Sequence, residues 1–455
     1  MSKKIIVAGG GHGGISAAAL LAKEGFDVTV FERNAEGKLG YDWTDIFDPK
    51  AINIAGIPMP APEKFEYKTD MTFYSTSEKT ALRQQVPDDQ REIKMERSDI
   101  YDMLISHAIT CGVKFEYEQN IEGPLTIGDR IIGIKTDKGE YYADLVIDAC
   151  GCESPVRANL PECCGIQKHP APFEKFYVYR AFFNKAIEGE VEDKYKVCLL
   201  PEGKLGIGWV ATEEEHTDLL IGRFEPFDLA EAERTAEYFR SKNPSLGTEI
   251  VRGGQFVEIP VRQPLSILVA DGYAAIGDSA FMTVPIIGSG IANSLKASKI
   301  LADTIIADKT ETYSAETLWG YQARYYKEQG ASLAPLACVK LLLTRINGDD
   351  IDYLFDEGIL TWREFTITAD STNLLSMIHI TPDMPKRGLA IVKNKELLTK
   401  LLKVVSDISQ VVALTTAMPK YYSRKSVQNW AAKYDKVFNA PLQQLLLRGS
   451  AKIQV

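Results

Sequence analysis

A glycine-rich turn near the start of the chain constrains the fold more than any other feature. Residues 5–7 form a short apolar run, which is typical of a buried parallel strand. Three glycines follow with the spacing G-x-G-x-x-G: Gly9, Gly11 and Gly14. Residues 15–23, rich in Ala and Leu, then predict a helix, and a second predicted strand, 28–31, ends on Glu32. This order predicts an α/β fold with a doubly wound, Rossmann-like parallel sheet that binds a dinucleotide.

The glycine spacing has a physical reason. The first glycine permits a tight turn, the second lets a phosphate approach the backbone, and the third lets helix and strand pack closely. The helix N-terminus presents N–H groups to a pyrophosphate. The Glu32 carboxylate can accept hydrogen bonds from both hydroxyls of an adenosine ribose, and it would repel the additional phosphate of NADP. His12 and Gly13 lie within the loop and Arg33 follows Glu32, so we place all three in the predicted site, without a chemical role for His12.

Composition narrows the possible functions. The chain has 455 residues and a net charge of −10, which disfavours nucleic acid as a partner. Its seven cysteines include no CxxC pair and its five histidines form no cluster, so we predict no metal site and no catalytic triad. No apolar run reaches the length of a membrane span, and the N-terminus lacks a signal-peptide pattern. These features predict a cytoplasmic protein with reduced thiols.

The charge is unevenly distributed along the chain. From residue 380 onward there are 13 Lys and Arg against 4 Asp and Glu, a local balance of +9. A basic, Leu-rich tail on an acidic body could contact an anionic membrane surface. The alternative is the solvated face of a small helical domain.

Changes of pattern divide the chain into three predicted parts. Residues 57–64 are proline-rich and extended, alternating strands typical of an antiparallel sheet dominate residues 176–260, and the pattern from residue 333 onward is helical. The predicted parts are a nucleotide-binding domain (1–56, 95–165 and 265–332), an antiparallel β-sheet substrate domain (57–94 and 166–264) and a helical C-terminal region (333–455).

Two further segments complete the predicted nucleotide-binding unit. Residues 95–118 predict a helix that Ser98 or Asp99 caps and that ends at Gly112. Residues 141–150 predict one apolar strand. It leads into the next glycine-bearing turn.

Two glycine-bearing segments lie far from the first. Residues 148–157 read DACGCESPVR, and residues 277–291 read GDSAFMTVPIIGSGI. Together the three segments resemble the flavoprotein group that includes aromatic hydroxylases, flavin halogenases and geranylgeranyl reductases. The short 277–291 spacing and the MERSDIYDML segment, 95–104, are most similar to the geranylgeranyl reductase branch. The resemblance covers about the first 330 residues and implies FAD as cofactor.

The resemblance assigns roles to residues of the third segment. Asp278, which follows Gly277, corresponds to the residue that binds the ribityl chain of FAD in such proteins. The helix that starts near Gly290 and Ile291 would direct its positive end at the flavin N1 and O2 edge, where a reduced flavin carries negative charge. Gly288 and Gly290 would allow the backbone this close approach.

The resemblance also assigns roles outside the third segment. Arg97 corresponds to an arginine on the FAD phosphates or ribityl chain, and Ile121 to a residue that contacts adenine through its backbone. Trp43 and Thr44 lie in a loop that prenyl reductases bring beside the flavin. Gly151, in the middle segment, is predicted to line the same site.

The chain departs from the family pattern at three places. The loop beside the flavin usually carries a cysteine in prenyl reductases, but here it has Trp43 and Thr44. The middle motif usually reads Asp-Gly, whereas here Cys150 precedes Gly151, which weakens a hydroxylase interpretation. Cys198 replaces the tryptophan of the Tyr-x-Trp-x-Phe-Pro element of prenyl reductases. Paired tryptophans of the halogenase element are absent from the sequence, which disfavours halogenation.

The combined interpretation is an FAD-dependent oxidoreductase that reduces carbon–carbon double bonds of an apolar, isoprenoid-like substrate. One alternative is a flavin-dependent monooxygenase acting on an aromatic or alkene, and another is a flavin-bound protein without turnover. A second nucleotide fingerprint is absent from the sequence, so electrons would come from transiently bound NAD(P)H, a ferredoxin-like protein or a reduced quinone. Cys150, Cys152 and Cys198 could line the pocket as reactive thiols or lie buried and inert. No proton donor can be identified from the sequence.

Overall fold

The computed structural model describes residues 3–187, 191–365 and 383–452. Its strands are β1 Lys4–Ala8, β2 Asp27–Phe31, β3 Thr44–Phe47, β4 Phe65–Tyr67, β5 Thr72–Tyr74, β6 Ala81–Arg83, β7 Ile93–Glu96, β8 Lys114–Glu116, β9 Ile121–Ile127, β10 Arg130–Thr136, β11 Gly139–Tyr142, β12 Leu145–Asp148, β13 Lys175–Lys185, β14 Tyr195–Leu199, β15 Gly206–Thr212, β16 His216–Arg223, β17 Leu246–Pro260, β18 Val269–Ala270 and β19 Tyr273–Ala275. Its α-helices are α1 His12–Lys23, α2 Lys50–Ile54, α3 Arg97–Thr110, α4 Pro155–Ala158, α5 Leu229–Lys242, α6 Ile291–Ala307, α7 Ala315–Tyr325, α8 Ala331–Leu343, α9 Gly348–Asp356, α10 Met384–Lys393, α11 Lys395–Thr416 and α12 Arg424–Lys452.

A six-stranded sheet forms the core of the part of the chain that was predicted to bind a nucleotide. Its order is β18-β19-β12-β1-β2-β8, and all neighbours are parallel except β18 and β19 at one edge. β1 lies inside the sheet, where Ile5, Val7 and Ala8 are buried, as expected for a strand covered on both faces. This sheet confirms the predicted α/β fold class.

The first helix begins three residues earlier than the sequence pattern predicts. α1 starts at His12, so that Gly13 and Gly14 belong to its first turn rather than to the preceding loop. α1 packs against α6, where the hydroxyls of Ser16 and Ser298 lie 2.7 Å apart. The two helices that begin at predicted nucleotide-binding turns are therefore direct neighbours.

A seven-stranded sheet forms the second layer. Its order is β17-β13-β16-β15-β14-β5-β6, and its neighbours are antiparallel except the parallel pair β14 and β5. The prediction of an antiparallel sheet is therefore right except at this junction, where β5 arrives from the early part of the chain. β17 was not predicted as a separate strand. Its pairing with β13 shifts register near Gly253 and Gly254, which adopt φ of +75° and +71°.

Two local predictions are corrected by the structure. The strand predicted over 141–150 is two strands, because the chain turns at residues 143–144: β11 pairs with β10 in a small antiparallel sheet, and β12 joins the six-stranded sheet. The predicted cap of α3 is also wrong. The helix begins at Arg97 and its N-cap is Glu96, which makes no side-chain capping bond, so Ser98 and Asp99 lie inside the first turn.

Helices α7 to α12 make up the C-terminal part, and α8 packs along α11. Side chains from α8 to α11 share an apolar cluster with Leu200 and with partly buried Phe73 and Leu82 of the seven-stranded sheet. The C-terminal helices thus cover the edge of that sheet where β5, β6 and β14 meet. In the ranges that the structure describes, we find no helix long and apolar enough to cross a membrane.

Candidate functional site

One large cavity of about 1090 Å³ lies between the two sheets and the C-terminal helices. Its wall includes every residue predicted to bind the cofactor: Gly9, Gly11, His12, Gly13, Gly14, Glu32, Arg33, Trp43, Thr44, Arg97, Ile121, Gly151, Gly277, Asp278, Gly288, Gly290 and Ile291. Residues from positions 9 to 291 therefore converge on one space. Their individual contacts with a cofactor stay predictions.

The glycine loop is too crowded for larger residues. A Cβ at Gly9 would lie 2.7 Å from the Ala149 carbonyl oxygen, and a Cβ at Gly11 would lie 2.8 Å from the same atom. A Cβ at Gly14 would lie 2.5 Å from that of Ala149 and 2.8 Å from Val7 Cγ1. Because Gly11 at the N-cap of α1 has no side chain, the N–H groups of the first turn remain open to the cavity. This end of the cavity is suited to a pyrophosphate.

Glu32 is held at the end of β2 by hydrogen bonds within the chain. Its Oε2 accepts the Gly10 N–H at 2.8 Å, and its Oε1 accepts both the backbone N–H and the side-chain Nδ2 of Asn34 at 2.8 Å. A carboxylate offers about four acceptor positions, so these three bonds leave about one for a ligand hydroxyl. The prediction that Glu32 accepts both ribose hydroxyls therefore requires Asn34 to move. Asn34 and Gly10 were missed by the sequence analysis.

The second and third glycine-bearing segments are joined to each other. The Gly151 N–H donates to Ser279 Oγ at 2.8 Å, and Arg157 donates through Nη1 to the Ser279 carbonyl at 2.5 Å. Beneath them, buried Asp148 accepts the hydroxyls of Ser154 at 2.6 Å and Tyr273 at 2.8 Å. These bonds fix the turn at Gly151, which has φ of +87° and open space beside it.

α6 begins at the cavity wall beside the first turn of α1. Gly290, its N-cap, cannot carry a side chain, because a Cβ there would lie 2.6 Å from Thr283 Oγ1. That hydroxyl donates to Asp278 Oδ1 at 2.6 Å. Burial raises the pKa of the Asp278 carboxyl, although the bond from Thr283 opposes the shift. The helix end therefore presents open N–H groups beside a carboxyl that can accept from a ligand hydroxyl.

Arg97 is already paired inside the cavity wall. Its Nε and Nη2 donate to the two carboxylate oxygens of Asp45, both at 2.6 Å, and its guanidinium lies 4.8 Å from the Tyr41 ring centre. Burial opposes ionisation of Asp45, but the adjacent Arg97 outweighs it and lowers the pKa of that carboxyl. The predicted contact of Arg97 with FAD must therefore use its remaining donors. Asp45 was not predicted as a site residue.

Residues 43–46 were predicted as a loop beside the flavin, but residues 44–46 belong to strand β3 instead. The strand is anchored by Arg180, which donates to the Thr44 carbonyl at 2.6 Å and to Thr44 Oγ1 at 2.7 Å. Arg180 also makes a bidentate ion pair with buried Asp218. Trp43 beside it is buried, and its Nε1 has no hydrogen-bond partner among the described residues. An unpartnered buried donor at the cavity wall fits a ligand acceptor.

His12 is the first residue of α1 and stacks on Tyr101 with ring centres 4.6 Å apart. Burial, reinforced by the Arg97 charge, lowers the pKa of His12 to about 4. The ring is therefore neutral near pH 7, and its Nε2 lacks a partner among the described residues. A neutral ring packed on a tyrosine is suited to contact with the cofactor rather than to acid–base chemistry.

The surroundings of Cys150, Cys152 and Cys198 disfavour the reactive thiolate form. Cys150 lines the cavity, but its thiol donates to the Ala8 carbonyl at 3.1 Å, and burial together with Asp148 raises its pKa well above the ordinary value. Burial also raises the pKa of Cys152 and of Cys198 to about 12. The thiolate is the reactive form, so these environments favour inert thiols.

The far end of the cavity is apolar and extends into the C-terminal helices. Its lining there includes Leu342, Ile346, Leu354, Phe355, Ile391 and Leu401. Lys340 lies at the border of this chamber, 2% exposed, with its Nζ donating to the Phe173 carbonyl at 2.7 Å. Burial lowers the pKa of Lys340 to about 8. The sequence analysis did not place these helices at the cavity, because the packing of α8 on α11 that forms the chamber has no local sequence signal.

Known proteins resemble this chain in sequence. A family model for an NAD(P)-binding Rossmann-like domain matches residues 7–56. A digeranylgeranylglycerophospholipid reductase of Sulfolobus acidocaldarius is 22% identical over 454 residues, covering 95% of this chain and 96% of the relative. A reductase of the same name from Methanothrix thermoacetophila is 24% identical, covering 77% and 90%. The similarity thus extends beyond the first 330 residues, to which the sequence analysis limited it.

Solved structures share the fold. A geranylgeranyl bacteriochlorophyll reductase-like protein of Thermoplasma acidophilum superimposes with a TM-score of 0.70 at 19% identity, covering 87% of this chain and 99% of that one. PqsL of Pseudomonas aeruginosa, a probable FAD-dependent monooxygenase, gives a TM-score of 0.58 at 19% identity, covering 78% and 100%. These similarities confirm the resemblance to the geranylgeranyl reductase branch and the predicted architecture.

Proposed function

We propose that this protein is an FAD-dependent oxidoreductase that reduces carbon–carbon double bonds of an apolar, isoprenoid-type lipid. The proposal rests on the residues that line the two ends of one cavity. Its nucleotide end has the crowded glycine loop, Glu32 and two helix N-termini, and its other end is an apolar chamber in the C-terminal helices. The reductases similar to this chain in sequence support this substrate class.

The residues present fit FAD at the nucleotide end. The first turn of α1 would hold the pyrophosphate, Glu32 the adenosine ribose, and Ile121 the adenine. Asp278 would accept a hydroxyl of the ribityl chain, and the N-terminus of α6 would stabilise negative charge on the ring. When bound and reduced, FAD would supply the hydride for the double bond, and water or a side chain would supply the proton that completes the reduction. The protein's own contribution is to orient both partners and to exclude water from the space between them.

The apolar chamber would hold the lipid chain. Burial of an unsaturated hydrocarbon against leucine and isoleucine side chains is favourable by about 25 cal/mol per Å² and needs no polar partner. NAD(P)H, a ferredoxin-like protein or a reduced quinone would supply electrons. We further propose a cytoplasmic protein that contacts the membrane through its basic C-terminal region, because the proposed substrate is a membrane lipid.

The test uses the full-length protein reconstituted with FAD and reduced with dithionite without oxygen. Addition of a geranylgeranyl lipid should restore the oxidised-flavin absorbance and yield a product heavier by two hydrogens. The saturated form of the same lipid is the control and should leave the cofactor reduced. Protein that takes up no FAD, or that stays reduced with every geranylgeranyl lipid, contradicts the proposal.

A monooxygenase is the second candidate, favoured by the shared architecture with PqsL. It predicts that air mixed with the reduced protein and an aromatic or alkene substrate gives a product containing labelled oxygen. Oxidation of the cofactor without oxygen incorporation excludes this candidate for the substrates tried.

A further inference from the structure

The outer face of two C-terminal helices combines exposed apolar side chains with lysines. On α10, Leu389 is 67% and Val392 59% exposed, and on α11, Leu402 is 60% and Val405 58% exposed. Contiguous exposed apolar side chains are a feature of interaction surfaces, whereas scattered single ones are not. We call the surface formed by these four residues and the nearby lysines the α10–α11 face.

The apolar residues lie on one side of each helix. At 100° per residue, Leu389, Val392 and the lysines Lys386 and Lys393 fall within about a third of the α10 circumference. On α11, Leu402 and Val405 share a similar arc with Lys395. Other positions of both helices are buried in the core: Ala390 in α10, and Leu397, Val404 and Val411 in α11. Each helix thus packs some apolar residues into the core and exposes others, together with lysines, to solvent.

The segment that forms the face is basic, since residues 383–416 contain six Lys and Arg against three Asp and Glu, a balance of +3. Asp383 binds Arg387 at 2.8 Å, Glu396 binds Lys400 at 2.9 Å, and Asp407 binds Lys403 at 2.5 Å. The remaining lysines of the face are Lys386, Lys393 and Lys395, all exposed. Lysines flanking exposed leucine and valine on an in-plane helix are the pattern of a peripheral contact with anionic lipid.

The same two helices wall the apolar chamber on their inner side. Ile391 lines the cavity between the exposed residues Leu389 and Val392, and Leu401 lines it next to exposed Leu402. A single helix layer therefore separates the chamber from the α10–α11 face. A lipid chain would need to cross only that layer to pass from a bilayer surface into the chamber.

From these observations we infer that the α10–α11 face docks on an anionic lipid bilayer and that the lipid substrate enters the apolar chamber between α10 and α11. This inference extends the proposed function and rests on it for the identity of the lipid substrate. The docking itself depends only on the exposed side chains and the charge. A second copy of the chain or another protein on this face would be a different occupant, and the test separates these outcomes.

The test is sedimentation of the full-length protein with vesicles of phosphatidylglycerol mixed with phosphatidylcholine, and with vesicles of phosphatidylcholine alone. The wild type should bind the anionic vesicles and lose binding at high salt. The paired substitution K386E with K393E should lower the partition coefficient about tenfold or more, since each basic residue near an anionic surface contributes about fivefold. The paired substitution L389E with L402E should lower it about tenfold or more as well, since it removes apolar contact area and adds negative charge to the face. I127E and K138E, on the β9–β10–β11 sheet, are matched controls and should bind like the wild type.

Turnover measurements separate docking from the proposed function. With a short, water-soluble prenyl alcohol the paired variants should act like the wild type, whereas with a lipid in anionic vesicles they should be slower. Light scattering should give the same mass for L389E with L402E as for the wild type. Equal binding to neutral and anionic vesicles, variants that bind normally, or a wild-type dimer that these variants dissociate would overturn the inference. If no isoprenoid is turned over, the vesicle result still decides the docking.

Discussion

The guanidinium of Arg97 donates to both carboxylate oxygens of Asp45 at 2.6 Å, joining the start of α3 to strand β3 at the cavity wall. Their side chains are each 16% exposed, so the pair is largely shielded from solvent. A pair of this kind stabilises a structure mainly because removal of one partner leaves the other charge uncompensated.

We therefore expect Asp45→Asn to lower the free energy of unfolding by about 2–4 kcal/mol, because Arg97 would keep its charge without its partner. Urea unfolding at pH 7 measures this change. The contribution of Asp45 is present above its ordinary pKa and is lost as pH falls through its lowered folded pKa, so the difference from the wild type should narrow in acid. A difference that stays constant down to strongly acidic pH would contradict this account. Asp42→Asn, at a more exposed neighbouring ion pair, is the control and should change stability by less than about 1 kcal/mol.

Gly14→Ala should both destabilise the protein and abolish FAD uptake. The added Cβ would lie 2.5 Å from that of Ala149, and backbone movement to relieve the clash would displace the first turn of α1. Overpacking at such a site costs about 1–3 kcal/mol. Thermal unfolding and titration with FAD measure the two effects. Gly320→Ala, in α7 with ordinary contact distances, should retain FAD uptake; normal FAD binding by Gly14→Ala would show that the loop does not hold the pyrophosphate.

Glu32→Gln should weaken FAD binding about tenfold or more while the fold is retained. The amide can keep a bond to the Gly10 N–H through its oxygen, but its NH₂ group cannot accept from Asn34 or from a ribose hydroxyl. Loss of one charged hydrogen bond corresponds to about 1.5–3 kcal/mol. Fluorescence titration with FAD measures the change, with Glu36→Gln on the exposed turn as the control. Unchanged affinity in Glu32→Gln would place the ribose elsewhere.

Lys340→Met should stabilise the protein near neutral pH. Burial lowers the pKa of Lys340 to about 8 from its ordinary 10.5, so the unfolded chain binds the proton more tightly. The resulting cost is fully present below pH 8, about 3 kcal/mol, and is relieved as pH rises towards the unfolded value. After loss of the bond to the Phe173 carbonyl, the variant should gain about 2 kcal/mol at pH 7. Above pH 10 the gain should disappear and leave only the cost of the lost bond, about 1 kcal/mol. Urea unfolding across this pH range checks it, and Lys340→Arg, which stays charged, should show no gain.

The sequence predicts much of the nucleotide end because its constraints are local. The spacing of Gly9, Gly11 and Gly14 is recognisable within one strand–turn–helix unit, and Glu32 follows from the length of α1 and β2. The atoms that exclude a larger residue at these glycines belong mainly to distant Ala149, which the sequence could not show. The sequence could not predict that Asn34 donates two hydrogen bonds to the Glu32 carboxylate, because these bonds depend on the conformation of the turn after β2. It also could not predict the hydrogen bond from Arg180 to the Thr44 carbonyl, since 136 residues separate the two and only the packing of two sheets brings them together. The apolar chamber depends in the same way on distant helices.

Thr44 and Asp45 are consecutive residues held by arginines from different layers of the molecule: Arg180 on β13 and Arg97 on α3. A hinge between the two layers at this strand would therefore have to break a charged contact on one side or the other. Conformational change that admits substrate should spare this strand and occur where apolar helices slide past one another. The part of the cavity beside β3 is then held rigidly, and the apolar chamber in the C-terminal helices is the part that can change shape.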